Sequence, residues 1–187
     1  MIVVKTEREL EGMRRSGRLA AAVRDRVAAA VAPGVTTAEL EALADDVIRE
    51  AGAESAFRGY QGYPGGICVS INDEVVHGIP GPRRIQPGDV VSLDVGVRFE
   101  GFVGDCARTV LVGVTDARVR HLAAVGEASL AAGIAAARAG NSVQDISMAV
   151  QQTVEGAGFS VVRQFVGHGI GRRMHEDPQV PNFVAPG

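Results

Sequence analysis

Gly34, Thr36, Leu40, Ile48, Ala51 and Gly52 recur 106 residues later, without a gap, as Gly140, Ser142, Ile146, Val154, Ala157 and Gly158. Any two capped amphipathic helices share part of that pattern. Here each copy also has a helix ahead of it, and a glycine stop and a strand signal after it in the same order, which favours a duplicated unit. A repeated helix–helix–strand unit restricts the chain to an architecture of two related halves. The 187 residues suffice for one sizeable core and are short for two independent domains, so one domain over 1–187 is expected, with halves of about 1–113 and 114–187.

Within the first half, Thr6-x-x-Glu9 is a capping box opening a helix whose apolar residues, Leu10, Met13, Ala20, Val23, Val27 and Val31, keep helical spacing up to Pro33-Gly34. Thr36-x-x-Glu39 opens a second, with Leu40, Leu43, Val47 and Ile48 as its buried stripe and Gly52 as its end. Thr115 or Asp116 caps a third helix running through Leu122, Val125, Leu130 and Ile134 to Gly140. Ser142-x-x-Asp145 caps a fourth through Ile146, Val150 and Val154. From Ala53 to Val112 the period is that of strands, and Phe159 to Val162 predicts another strand after Gly158. The class is α+β. The first copy needs about 112 residues to include its last hairpin, whereas the second has reached only its first strands at Gly187, so its closing hairpins are expected to be missing.

That last hairpin spans Val90 to Val112. The β-branched arm Val90–Val97 follows a Pro87-Gly88-Asp89 turn, and a four-residue loop, Arg98 to Gly101, leads to Phe102 onward. This register sets Asp94 directly opposite Asp105, where bare carboxylates repel. A cation or a shared proton removes the conflict. Equally, one aspartate is solvated at a sheet edge in a register shifted by one.

The formal net charge is −3, and lysine and arginine are scattered, so nothing marks a nucleic-acid or anionic-membrane surface; a monomer is expected. The N-terminal apolar run is too short for a signal peptide, and no segment approaches the roughly 20 apolar residues of a membrane span, so a cytoplasmic protein is expected. Cys68 and Cys106 form no C-x-x-C pattern, which argues against a structural zinc knot or a disulfide framework.

Three of the four histidines, His77, His168 and His175, lie in polar or glycine-rich settings; His121 is mid-helix and solvated. For any one, a structural role is the simpler reading, but the glycines around His168 leave bare backbone that lets a ligand approach. One histidine added to the aspartates gives a mixed oxygen and nitrogen set suited to Mn, Fe, Co or Zn.

The segments GYQGYPGGICVSINDEVVHGIP, DVGVRFEGFVGDCARTV and VVRQFVGHGIGRRMHEDPQVPNF closely resemble type I methionine aminopeptidases, in order and spacing, over nearly the whole chain. The resemblance implies the pita-bread fold with an internal pseudo-two-fold duplication. It implies removal of the initiator methionine from nascent polypeptides by a centre of two divalent metal ions. On this likeness Asp94, Asp105 and His168 are metal ligands, with Asp105 bridging. His77 and His175 hydrogen-bond the scissile peptide and the developing tetrahedral intermediate, and Tyr60, Tyr63 and Cys68 line the methionine pocket. Met174 stands where the family usually has an aromatic residue, a tolerable exchange in an apolar pocket. The family also has two glutamate ligands, one in a segment resembling PGM-x-x-x-IEP, and the chain ends before both, so impaired activity is expected. Two rival functions are a non-catalytic binding protein on the same fold and an Xaa-Pro dipeptidase-like hydrolase. Opposed carboxylates argue against the first, and the HGIP segment with the Tyr60 to Tyr63 spacing argues against the second.

Overall fold

The structure is a computed structural model and describes residues 1–184. The chain gathers into two compact units. One comprises Val4–Thr115 with Ile170–Met174, and the other Met1–Val3, Asp116–Gly169 and the chain from His175.

The first unit begins with α1 (Glu7–Ala30) and α2 (Thr37–Glu50), each opened by a complete capping box in which the threonine hydroxyl accepts from the glutamate N–H and the glutamate carboxylate accepts from the threonine N–H. The box satisfies two backbone donors that a helix start leaves over, which is why both N-termini fall where the sequence places them. Strands β1 (Glu54–Ser55), β2 (Cys68–Ile71), β3 (Val90–Phe99) and β4 (Phe102–Leu111) make an antiparallel sheet. β3 is central, paired with β1 and β2 along one side and with β4 along the other.

Side chains alternate across β3, so Val91, Leu93, Val95 and Val97 share one face. That face is fully buried with Val69 and Ile71 of β2, Ala20, Val23 and Val27 of α1, and Leu40, Ala44 and Ile48 of α2. Burying a side chain of this size contributes about 1.5–3 kcal/mol, so this cluster is the main source of stability for the unit. Asp94 and Gly96 fall on the opposite face.

The β3–β4 register differs from the expected one. Phe99 faces Phe102 across a two-residue turn, Glu100 and Gly101, both at positive φ. Two left-handed residues match the twist of a hairpin, so the tight turn displaces the four-residue loop. Arg15 of α1 donates two hydrogen bonds to the Glu100 carboxylate, at 2.8 and 2.6 Å, and ties the turn down. Asp94 is therefore opposite Ala107, and Asp105 is opposite Gly96. The aspartates are diagonal neighbours on one face, not directly opposed.

The second unit holds α3 (Ala117–Ala136), α4 (Val143–Gly156) and a short antiparallel pair, β5 (Gly167–Gly169) with β6 (Glu176–Val180). Asp116 caps α3, its carboxylate accepting from the N–H groups of Arg118 and Val119, and Ser142 with Asp145 forms the capping box of α4. The helix expected through Leu122, Val125, Leu130 and Ile134 forms, and the strand expected at 159–162 does not. Val125 is buried, but Leu122, Leu130 and Ile134 are exposed, because α3 packs on α4 through the smaller Ser129 and Gly133, where Ile146 and Val150 come close. Residues 159–162 form no strand. β1 exists because β3 lies beside it, with Ser55 opposite Val97. Among the described residues no strand lies beside 159–162, and β propensity without a ladder partner leaves backbone groups unpaired. The His121 ring instead packs near Phe159, centroids 5.5 Å apart. Among the described residues no helix is long and apolar enough to cross a membrane.

Candidate functional site

Asp94 is flanked across the ladders by Cys68 of β2 and Ala107 of β4, and Asp105 by Gly96 of β3. Their carboxyl groups are close enough along the diagonal to interact. Burial pushes the Asp94 carboxyl up to about 7, and the charge of Asp105 adds to the rise. Neither aspartate is therefore spared by solvent. The pair either holds a proton or faces a cation, because two partly buried carboxylates this close do not both stay ionised alone.

A buried apolar cluster adjoins the pair. Ala56, Phe57, Cys68, Val103 and Met174 form it, with Tyr60 and Tyr63 packed against it. Gly96 makes this possible: a Cβ there would stand 2.3 Å from the Phe57 ring, so only glycine lets the aromatic wall lie on the strand beside Asp105. The Tyr60–Tyr63 turn is pinned from α2, where Glu41 accepts from the Gly66 N–H at 2.6 Å and Arg58 bridges Asp45 and Glu41. The Tyr63 hydroxyl is within hydrogen-bonding distance of the carbonyls of Ile67, at 3.0 Å, and Gly78, at 2.9 Å. Burial drives the Tyr63 phenol upward, and burial raises the Cys68 thiol to about 11, so both stay neutral and line the pocket without charge.

Met174 enters this unit on the five-residue strap Ile170–Met174. The Val103 N–H donates to the Gly171 carbonyl at 2.7 Å, Arg98 donates to the Arg172 carbonyl at 2.8 Å, and the Arg172 guanidinium lies 4.5 Å over the Phe102 ring. The methionine thus fills, with an adaptable thioether, a wall position in an otherwise aromatic and aliphatic pocket.

His77 lies exposed on the loop that follows β2, one residue before Gly78, whose carbonyl accepts from Val69. In the other unit, His168 of β5 and His175 stack with centroids 4.0 Å apart and planes inclined by 38°. The His168 Nδ1 is 3.0 Å from the Gly169 carbonyl. The glycines beside His168 serve strand pairing: a Cβ at Gly169 would meet the Asp177 carbonyl at 2.5 Å. The bare backbone expected to admit a ligand is covered by β6.

Among the described residues no three His, Cys, Asp or Glu side chains are grouped to hold a metal ion; the sheet brings two together, Asp94 and Asp105. The sequence reading assigns Tyr60, Tyr63 and Cys68 to a methionine pocket; in the structure Cys68 belongs to the buried cluster, and Tyr60 and Tyr63 pack against it. That reading missed Phe57, Ala56 and Val103. The signal was Gly96, a glycine in the interior of a β-branched strand, which marks a close approach.

The sequence profile of metallopeptidase family M24 matches residues 11–187. The methionine aminopeptidase of Clostridium perfringens is 45% identical over 187 residues, covering 100% of this chain and 75% of its own length. Methionine aminopeptidase 1 of Bacillus subtilis is 44% identical over 186 residues, with the same coverage of both chains. The crystal structure of methionine aminopeptidase from Thermotoga maritima superposes with a TM-score of 0.96 at 41% identity, covering 100% of this chain and 76% of that one.

Proposed function

The chain belongs to metallopeptidase family M24 and has its pita-bread fold, and from that premise we propose that it hydrolyses the first peptide bond of polypeptides that begin with methionine. The observation that carries the reading is the close, partly buried Asp94–Asp105 pair beside an uncharged apolar cluster of Phe57, Tyr60, Tyr63, Cys68, Val103 and Met174. A long, unbranched, polarizable methionine side chain suits such a pocket, because sulfur contacts aromatic rings favourably, by about 0.3–1.5 kcal/mol each.

A divalent cation fits the aspartate pair, since it replaces a shared proton and removes the repulsion that lifts Asp94. Asp94 and Asp105 would hold such a cation, and on the sequence resemblance His168 would be a further ligand; Co, Mn, Fe and Zn all suit this donor set. When bound, such ions supply a Lewis acid for the carbonyl and a lowered pKa for water. The chain's own groups do the rest. The pocket seats the methionine side chain and excludes water, and its neutral Tyr63 and Cys68 add no charge to compete for the substrate's ammonium group. His77 hydrogen-bonds the scissile peptide, and His175 donates to the oxyanion as it develops. The substrates are nascent chains in the cytoplasm, and the enzyme acts as a monomer.

The test is methionine release from a Met-Ala-Ser peptide with added Co or Mn, run beside Xaa-Pro dipeptides. Release from this chain is expected to be weak, to need metal and to fall further in Asp105→Ala, with calorimetric binding of Mn weakened in the same variant. Cleavage of the proline dipeptides in preference to Met-Ala-Ser would overturn the substrate assignment.

A further inference from the structure

Among the described residues, four other than glycine hold a positive φ, and three have a local reason. Glu100 sits in the tight turn of the β3–β4 hairpin. Asn72 tolerates the left-handed region, and its side-chain carbonyl accepts from the Val90 N–H at 2.9 Å. Gln61 lies between Gly59 and Gly62 in the turn that carries Tyr60 and Tyr63. Val76, at φ 56°, has none, and a β-branched residue is the type least suited to that conformation. It precedes His77.

The surrounding bonds say what holds it there. The His77 N–H donates to the Val75 carbonyl at 2.6 Å, closing a three-residue turn with Val76 at its centre, the rare γ-turn of positive φ. The next residue is clamped. The Gly78 N–H donates to the Ser70 hydroxyl at 3.0 Å, and its carbonyl accepts from the Val69 N–H at 3.0 Å and lies 2.9 Å from the Tyr63 hydroxyl. A Cβ on Gly78 would stand 2.3 Å from the Val69 carbonyl, so this backbone lies directly on β2, beside the strand that carries Asp94. Before the turn, Glu74 accepts from the Ile71 N–H at 2.8 Å and pairs with Arg83. His77 therefore stands between a fixed point and a strained one. Val75 and Val76 are both exposed, so packing of their side chains does not account for the strain.

We propose that Val76 is a positioning residue for His77: its strained turn fixes the direction in which the backbone presents the imidazole. Strain of this kind persists where the surroundings over-determine it, and it gathers at sites whose geometry matters. A β-branched residue has few backbone wells, so once forced into this one it leaves His77 little freedom. Glycine occupies the same conformation without strain but also many others. Asparagine accepts the left-handed region and keeps a side chain.

The role in catalysis rests on the function proposed above, and the experiment separates the two. Val76→Gly, Val76→Asn and His77→Ala are made singly, and Val76→Gly is combined with His77→Ala. Methionine release from Met-Ala-Ser is resolved into kcat and KM, and exchange of the His77 amide hydrogen is followed by NMR. Val76→Gly is expected to lower kcat about 10- to 100-fold with KM within about two-fold, and Val76→Asn to restore most of it. In the His77→Ala background Val76→Gly should change nothing further. The His77 amide loses protection in Val76→Gly and keeps it in Val76→Asn, whose Tm rises by about 2–4 °C as strain is relieved. An equal loss of kcat with and without His77, or a protected His77 amide in Val76→Gly, overturns the positioning role. If the parent chain releases too little methionine to resolve kcat, the amide exchange decides whether Val76 holds His77.

Discussion

The helix pairs α1–α2 and α3–α4 carry the same local instructions and reach different ends. α2 and α4 both have 14 residues, start from a capping box, and are followed by a glycine of positive φ, Gly52 or Gly158. Yet Leu40 is 1% exposed and its repeat counterpart Ile146 only half-buried, and Leu130 and Ile134 of α3 are 60% and 66% exposed. In the first unit the β2–β3–β4 sheet covers the apolar stripes of both helices. In the second, α3 and α4 cover each other through small residues. Helix ends are decided within a turn of sequence, whereas burial is decided by what the fold sets against the helix.

The sharpest way to break this comparison is truncation at repeat-related positions. Leu40→Ala should cost about 2–5 kcal/mol in urea unfolding, since it opens a cavity in a fully buried cluster, and Ile146→Ala clearly less. Equal costs would mean that the second stripe is as covered as the first. A pH scan of the metal-free chain gives an intermediate effect, and its sign distinguishes two kinds of acid. Asp94 is raised from its usual 3.8 to about 7, so the folded state holds the proton more tightly than the unfolded one. Stability therefore falls as pH rises from about 4 to about 7, and added Mn should cancel the fall. The capping acids Glu39 and Asp145 have the opposite sign. Hydrogen bonds from the backbone of Thr36 and Ser142 hold them below the ordinary carboxylate range, so what they contribute is lost only as pH drops below that range. A flat profile between pH 4 and 7 in thermal melts would count against a buried acid pair. The smallest effect tests likeness rather than difference. Thr36→Ala and Ser142→Ala should each cost about 1 kcal/mol, and by similar amounts, because a cap acts within its own helix turn.

What could be read in the sequence follows the same division. The starts of α1, α2 and α4 were legible from Thr6, Thr36 and Ser142, and that of α3 to within one residue, Thr115 or Asp116, since these side chains answer to their own neighbours. The aspartate hairpin was legible as a hairpin but not in register, because a glutamate at φ 50° in the turn is an unusual choice and a longer loop reads as well. Residues 159–162 have the composition of a strand and form none, and Leu122, Leu130 and Ile134 have the spacing of a core stripe and are exposed. In both cases the deciding partner lies outside the segment. Beside the aspartates, the packing of Phe57 was hidden, since its place depends on the missing side chain of Gly96 across the sheet.

The strap Ile170–Met174 has a consequence for synthesis on the ribosome. The helices and sheet of the first unit are translated by Thr115, but the Gly171 carbonyl that engages Val103 and the Met174 wall of the pocket belong to residues made 59 positions later at the furthest. At about 5–20 residues per second that gap is roughly 3–12 s. For that interval the emerging hairpin has its acids and two tyrosines in place while one edge N–H is unmatched and one pocket wall is absent. The pocket is thus finished on a delay written into chain order, and the last piece to arrive is a methionine side chain.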